Sequence, residues 1–91
     1  MENLEMQRKK IDEIDEKIQA ALSERVQVCK SIGAIKRSEG TRVQDAKREL
    51  EVFEHVRTKA VSLDMNPGVI EAIYRGIVNM CSSVQSRETR S

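Results

Sequence analysis

Aromatic side chains are nearly missing from this chain, which has one Phe, one Tyr and no Trp in 91 residues. With so few rings for bases to stack on, nucleic acid is a poor partner. The charge balance agrees, because 16 basic and 15 acidic residues are dispersed to a net +1, with no basic block. No apolar run approaches the length of a membrane span, and the opening "MENLEMQRKKIDEIDEKI" lacks the apolar segment of an export signal. A cytoplasmic protein without membrane association is therefore expected. Cysteine is scarce: Cys29 and Cys81 match no metal-ligand spacing, and the lone His55 has no partner motif, so no metal or cofactor is expected. In a reducing compartment a structural disulfide is not expected either, and the two cysteines read as small buried hydrophobes. Repeats, low-complexity tracts, a Gly-rich phosphate loop and strand-type alternation are also missing, which leaves an all-α reading.

What the chain does have is helical periodicity. Ile11, Ile14, Ile18, Ala21, Arg25, Val28, Ile32 and Ile35 follow an unbroken 3-4-3-4 spacing, the pattern of a coiled-coil seam. The first helix is predicted from about residue 4 to 37. At roughly 1.5 Å per residue it is about 45–50 Å long, more than a compact monomer of this size can cover. "SEGTRVQ", residues 38–44, breaks it. Asp45 can cap a second helix over 46–62, with Ala46, Leu50, Phe53, Ala60 and Leu63 inward. "DMNPG" stops and restarts the chain, with Asn66 as N-cap and Pro67 at the first helical position of a third helix over 67–85. Ile70, Ile73, Ile77, Cys81 and Val84 form its inner stripe, and residues 86–91 read as a polar, frayed tail. The expectation is one domain over 1–91, three helices with a very long first, completed by an intertwined second copy.

Some polar residues sit where that pattern wants apolar ones. From Arg25 to Lys36 the helix turns back to within about 20° of its starting azimuth, so two cations share the seam with Val28, Ile32 and Ile35. Their stems can cover the seam while the heads reach water. Alternatively they form a socket for a small anion, Arg supplying a planar fork and Lys a point charge. Gln85 ends the apolar stripe of the third helix, where its amide must find partners or cost about 1–3 kcal/mol. Arg48 and Glu49 lie in the first turn of the second helix, where an acid is expected from the helix dipole alone. Arg8 lies about 25 Å up the first helix from Arg25, so the two can share a pocket only across two chains.

Taken together, "RKKIDEIDEKI", "LSERVQVCKSIGAIK", "VQDAKRELEVFEHV" and "CSSVQ" closely resemble the all-α chorismate mutases of the shikimate pathway, over residues 8–85. The ordered set of an Arg, an Arg with a Lys eleven residues on, D-x-x-R-E and a terminal Gln is the specific part. The resemblance implies an intertwined homodimer with two equivalent sites and an isomerase of aromatic amino acid biosynthesis. That enzyme converts chorismate to prephenate without a cofactor. It also implies that Arg25, Ile32, Lys36, Asp45, Arg48, Glu49, Cys81 and Gln85 line one substrate site, with Arg8 entering from the other chain. Lys36, Gln85, Arg25 and Glu49 would be the catalytic set, with Arg48 positioning Glu49. Members of the family often have Ser where this chain has Cys81, and a thiol is the weaker hydrogen-bond donor.

The reaction is a Claisen rearrangement within one dianion and needs no nucleophile, metal or proton transfer. What it needs is a clamp on two carboxylates and donors at the ether oxygen, and cations on an apolar face provide both. Two alternatives share these features in part. An isochorismate pyruvate lyase would use the same scaffold and a similar cationic pocket. A non-catalytic helical dimerisation or regulatory module, associating with another shikimate-pathway enzyme, would use the seam alone.

Overall fold

The computed structural model describes residues 3–42 and 45–90, and of residues 88–90 only the backbone. The described residues form three helices, α1 (Leu4–Glu39), α2 (Ala46–Ser62) and α3 (Pro67–Arg90), and no strand. Each helix start is fixed by a short polar side chain. The Asn3 side chain accepts from the Met6 N–H at 2.8 Å, and Asp45 Oδ1 accepts from the Arg48 N–H at 3.1 Å. Asn66 Oδ1 accepts from the N–H groups of Gly68 (2.9 Å) and Val69 (3.1 Å), with Pro67 in the first turn, where its missing N–H costs nothing. At the far end of α1, Gly40 turns left-handed (φ 71°), and the Thr41 N–H reaches back to the Lys36 carbonyl at 2.9 Å. Val43 and Gln44, the end of the expected break, lie outside the described residues.

Two expectations change here. The third helix does not end at 85; it runs to Arg90, because "SRETR" contains no Gly or Pro and ordinary helix formers continue the ladder. Only Ser91 of the expected tail lies outside the described residues. The inward faces also differ. In α1 the buried residues are Cys29 and Gly33, while Ile11, Ile14, Ile18, Val28, Ile32 and Ile35 are all exposed. In α2, Val56 and Ala60 are buried, but Ala46, Leu50 and Leu63 face out. Val78 is the buried aliphatic of α3, and Ile73 is exposed.

The reason lies in how the helices meet. α3 packs against both α1 and α2, whereas no Cα of α1 comes within 8 Å of one in α2 among the described residues. Small residues let α1 and α3 approach: buried Gly33 and Cys29 stand on the α1 side. On the other flank, Glu71 accepts from Arg57 of α2 (3.3 Å) and from Arg75 of α3 (3.1 Å), and the Arg75 guanidinium lies 5.0 Å from the Phe53 ring centre.

Only the second half of α1 takes part in this packing. Every residue from Asn3 to Ala21 is exposed, so the first half buries no face against the other described residues. The molecule extends 58 × 26 × 15 Å with a radius of gyration of 16.5 Å, against about 12 Å for a compact chain of this length. It exposes 7342 Å², about 1,900 Å² more than the roughly 5,400 Å² of a compact monomer of its mass. None of the described helices is long and apolar enough to cross a membrane.

Candidate active site

A cavity of about 330 Å³ opens where all three helices converge. From α1 come Arg25, Val28, Cys29, Ile32 and Lys36; from the start of α2, Asp45, Arg48, Glu49 and Val52; from α3, Val78, Cys81, Ser82 and Gln85. Its size is at the lower end of small-molecule sites. The helix geometry explains the grouping. Arg25, Cys29, Ile32 and Lys36 succeed one another at three- or four-residue intervals on one face of α1; on α3 Val78, Cys81 and Gln85 do the same, with Ser82 beside Cys81. The Asp45 cap starts α2 at the rim, which sets Arg48 and Glu49 in its first turn over the opening.

Lys36 Nζ donates to Gln85 Oε1 at 2.8 Å, joining α1 to α3. Gln85 is only 6 % exposed, and its amide is satisfied at both ends, since Nε2 donates to Cys81 Sγ at 3.1 Å. This fixes which end of the amide faces where: the oxygen is taken by the cation, and the nitrogen keeps a second hydrogen. Arg25, half-buried, extends a guanidinium nitrogen to 3.9 Å from Cys29 Sγ. The inner wall is aliphatic, through Ile32, Val52 and Val78. Cations beside a low-dielectric wall act more strongly on an anion than they would in water. Among the described residues no group of three His, Cys, Asp or Glu is placed to hold a metal ion.

Eight of the nine residues singled out from the sequence, Arg25, Ile32, Lys36, Asp45, Arg48, Glu49, Cys81 and Gln85, line this one cavity. Arg8 does not; it is exposed on the free half of α1. Two expectations are corrected. Cys29 and Cys81 are joined in a disulfide, with Cα atoms 5.5 Å apart across the α1–α3 contact, within the range such a bond requires. Cys81 therefore has no thiol hydrogen to donate. Arg48 does not position Glu49: its guanidinium pairs with Glu51 Oε2 at 3.3 Å, the neighbour one turn on, with both side chains largely exposed. Five further lining residues were not assigned to the site from the sequence: Val28 and Cys29 read there as apolar packing residues, Val52 and Val78 are aliphatics indistinguishable from core, and Ser82 is a common helix-surface residue.

Comparison with known proteins adds an independent line. The family description "chorismate mutase type II" matches residues 7–86. A bifunctional chorismate mutase/prephenate dehydratase of Aquifex aeolicus is 37% identical over 92 residues, covering 96% of this chain and 25% of the relative. A chorismate mutase of Methanocaldococcus jannaschii is 37% identical over 71 residues, covering 76% of this chain and 72% of the relative. The chain thus spans about a quarter of the bifunctional protein and most of the single-function one. The match embraces every lining residue of the cavity, from Arg25 to Gln85. This chain belongs to the type II chorismate mutases, a family of isomerases.

Proposed function

We propose that the cavity converts chorismate to prephenate, and that two copies of the chain assemble to complete it. The carrying observation is the convergence of Arg25, Lys36, Arg48, Glu49 and Gln85, from three helices, on one small aliphatic-walled cavity. Arg25 takes one carboxylate of the substrate. Lys36 takes the other, together with Arg8 of a second copy. Held at both ends, the flexible enolpyruvyl arm folds over the ring into the reactive chair, so binding energy becomes orientation.

As the C–O bond breaks ahead of C–C formation, negative charge gathers on the ether oxygen. Lys36 and the free N–H of Gln85 Nε2 serve that oxygen, and because the charge is larger in the transition state they raise the rate rather than only the affinity. The hydrogen bond between Lys36 and Gln85 supports this pairing, since it holds both donors on one side of the cavity. Glu49 and the backbone at Asp45 orient the ring hydroxyl. Arg48 adds positive field at the rim. Ile32 walls the ring.

The intertwined homodimer is supported by the exposed apolar side chains Ile11, Ile14 and Ile18 on the first half of α1 and by the excess exposed area. Two such chains burying about 1,900 Å² each would match the 2,000–5,000 Å² of permanent dimers. Arg8 on the free half of α1 would then reach a site some 25 Å from its own Arg25. A dianion does not cross a bilayer unaided, so the enzyme belongs in the compartment that makes its substrate, and we place it in the cytoplasm, where a bond such as Cys29–Cys81 forms transiently rather than as a permanent brace. The Aquifex relative carries a prephenate dehydratase in the same chain, which supports an association of this chain with another enzyme of that pathway.

Loss of chorismate absorbance, with identification of prephenate, is the test. Turnover of isochorismate with release of pyruvate would transfer the site to lyase chemistry. Inertness toward both would leave a dimerisation module.

A further inference from the structure

The Cys29–Cys81 bond lies in the wall of the cavity rather than in a remote core, and both sulfurs touch residues of the site. Arg25 is one turn before Cys29, with its guanidinium 3.9 Å from that sulfur. Gln85 is one turn after Cys81 and donates to its sulfur at 3.1 Å. The cross-link thus ties the helix carrying the carboxylate clamp to the helix carrying the ether-oxygen donor. We propose that this bond is a reversible thiol–disulfide switch on catalysis, closed in the active state; the inference rests on the mutase reading of the cavity.

The chemistry balances with a dithiol as reductant. One thiolate of the dithiol attacks Cys81 Sγ, the half-buried sulfur that the cavity opens to, because Cys29 is only 3 % exposed. The S–S bond breaks and Cys29 leaves as a thiolate, beside the Arg25 cation that stabilises it. The second thiol of the reductant resolves the mixed disulfide and frees Cys81. Two electrons pass to the protein, two protons are taken up by the released thiolates, and the reductant becomes a disulfide. A disulfide oxidant runs the sequence backwards.

Opening the bond alters the site by a local route. Two unbonded sulfurs require van der Waals separation, and of the two residues Cys81 is the less buried. Cys81 must therefore turn into the cavity, and Gln85 Nε2 loses its anchor. A donor misplaced by about 1 Å can cost a hundredfold in rate.

The test equilibrates the purified full chain with oxidised glutathione or with dithiothreitol, counts labelled thiols by mass, and measures kcat and KM for chorismate in each state. No labelled thiol after oxidation, two after reduction, and a kcat about tenfold to a hundredfold lower in the reduced form are expected. Cys29→Ser cannot close the bond, so it should turn over at the reduced rate and ignore both reagents. Two labelled thiols after oxidation overturn the proposal. Equal kcat in the two states overturns it while leaving the mutase reading intact, and no turnover in either state overturns both.

Discussion

If a second chain covers the first half of α1, polar substitution there must dissociate the molecule without unfolding its own chain. Ile14 and Ile18 are 49% and 52% exposed, on the stretch of α1 that is exposed throughout. Fully burying an Ile contributes about 1.5–3 kcal/mol, so the exposed half of each offers roughly 0.8–1.5 kcal/mol to an interface. Two-fold symmetry counts each residue twice. Replacing both with Gln, which keeps helix propensity and adds no charge, therefore removes about 3–6 kcal/mol. That raises the dimer dissociation constant by about 10²–10⁴-fold. Sedimentation across a dilution series reads the constant directly, and circular dichroism should find the helix content little changed. Specific activity should fall with dilution in parallel, because Arg8 leaves with the partner. A wild-type chain that sediments as a monomer at every concentration would refute the reasoning, as would a double variant whose constant does not move.

Lys36→Ala should lower kcat by about 10²–10³-fold, the loss typical of one donor to a developing oxyanion. It also strands the buried Gln85 oxygen at a cost of about 1–3 kcal/mol, so its thermal midpoint should fall by several degrees; wild-type turnover in that variant would remove Lys36 from the mechanism. Gln85→Glu places a carboxylate where negative charge accumulates. It should work only when protonated, with activity rising as pH falls through the carboxyl range, and a flat profile would detach residue 85 from the ether oxygen. Mixing an Arg8→Ala chain with an Arg25→Ala chain should recover part of the activity, because a hybrid dimer holds one intact site. No recovery after proven subunit exchange would disprove the shared-site arrangement.

Much of the fold and of the candidate site was legible because the signals were local. Asp45, Asn66 and Pro67 announce helix starts by chemistry that operates within three residues, and all three sit where that chemistry puts them. Arg25 and Lys36 stood out as charges on an apolar stripe, and Gln85 as an amide at the end of one. What stayed hidden depends on distance in space. Cys29 and Cys81 are 52 residues apart in sequence, and no pattern along either helix says that they meet. The seam is apolar, but from Ile11 to Ala21 it is exposed and at Val28 and Ile32 it lines the cavity instead of burying against α3, so it misdirected the reading of which α1 residues face α3. Arg48 had acidic neighbours at both 49 and 51, and only the helix geometry selects Glu51.

Because the backbones of α1 and α2 each approach α3 but not one another among the described residues, α3 acts as a keystone, and the breadth of the opening is an output of its path. Bending or shifting that one rod would move the clamp wall and the rim wall at once. Remodelling the enclosure for a bulkier dianion would therefore start beneath it, at Val78, and leave the cations alone.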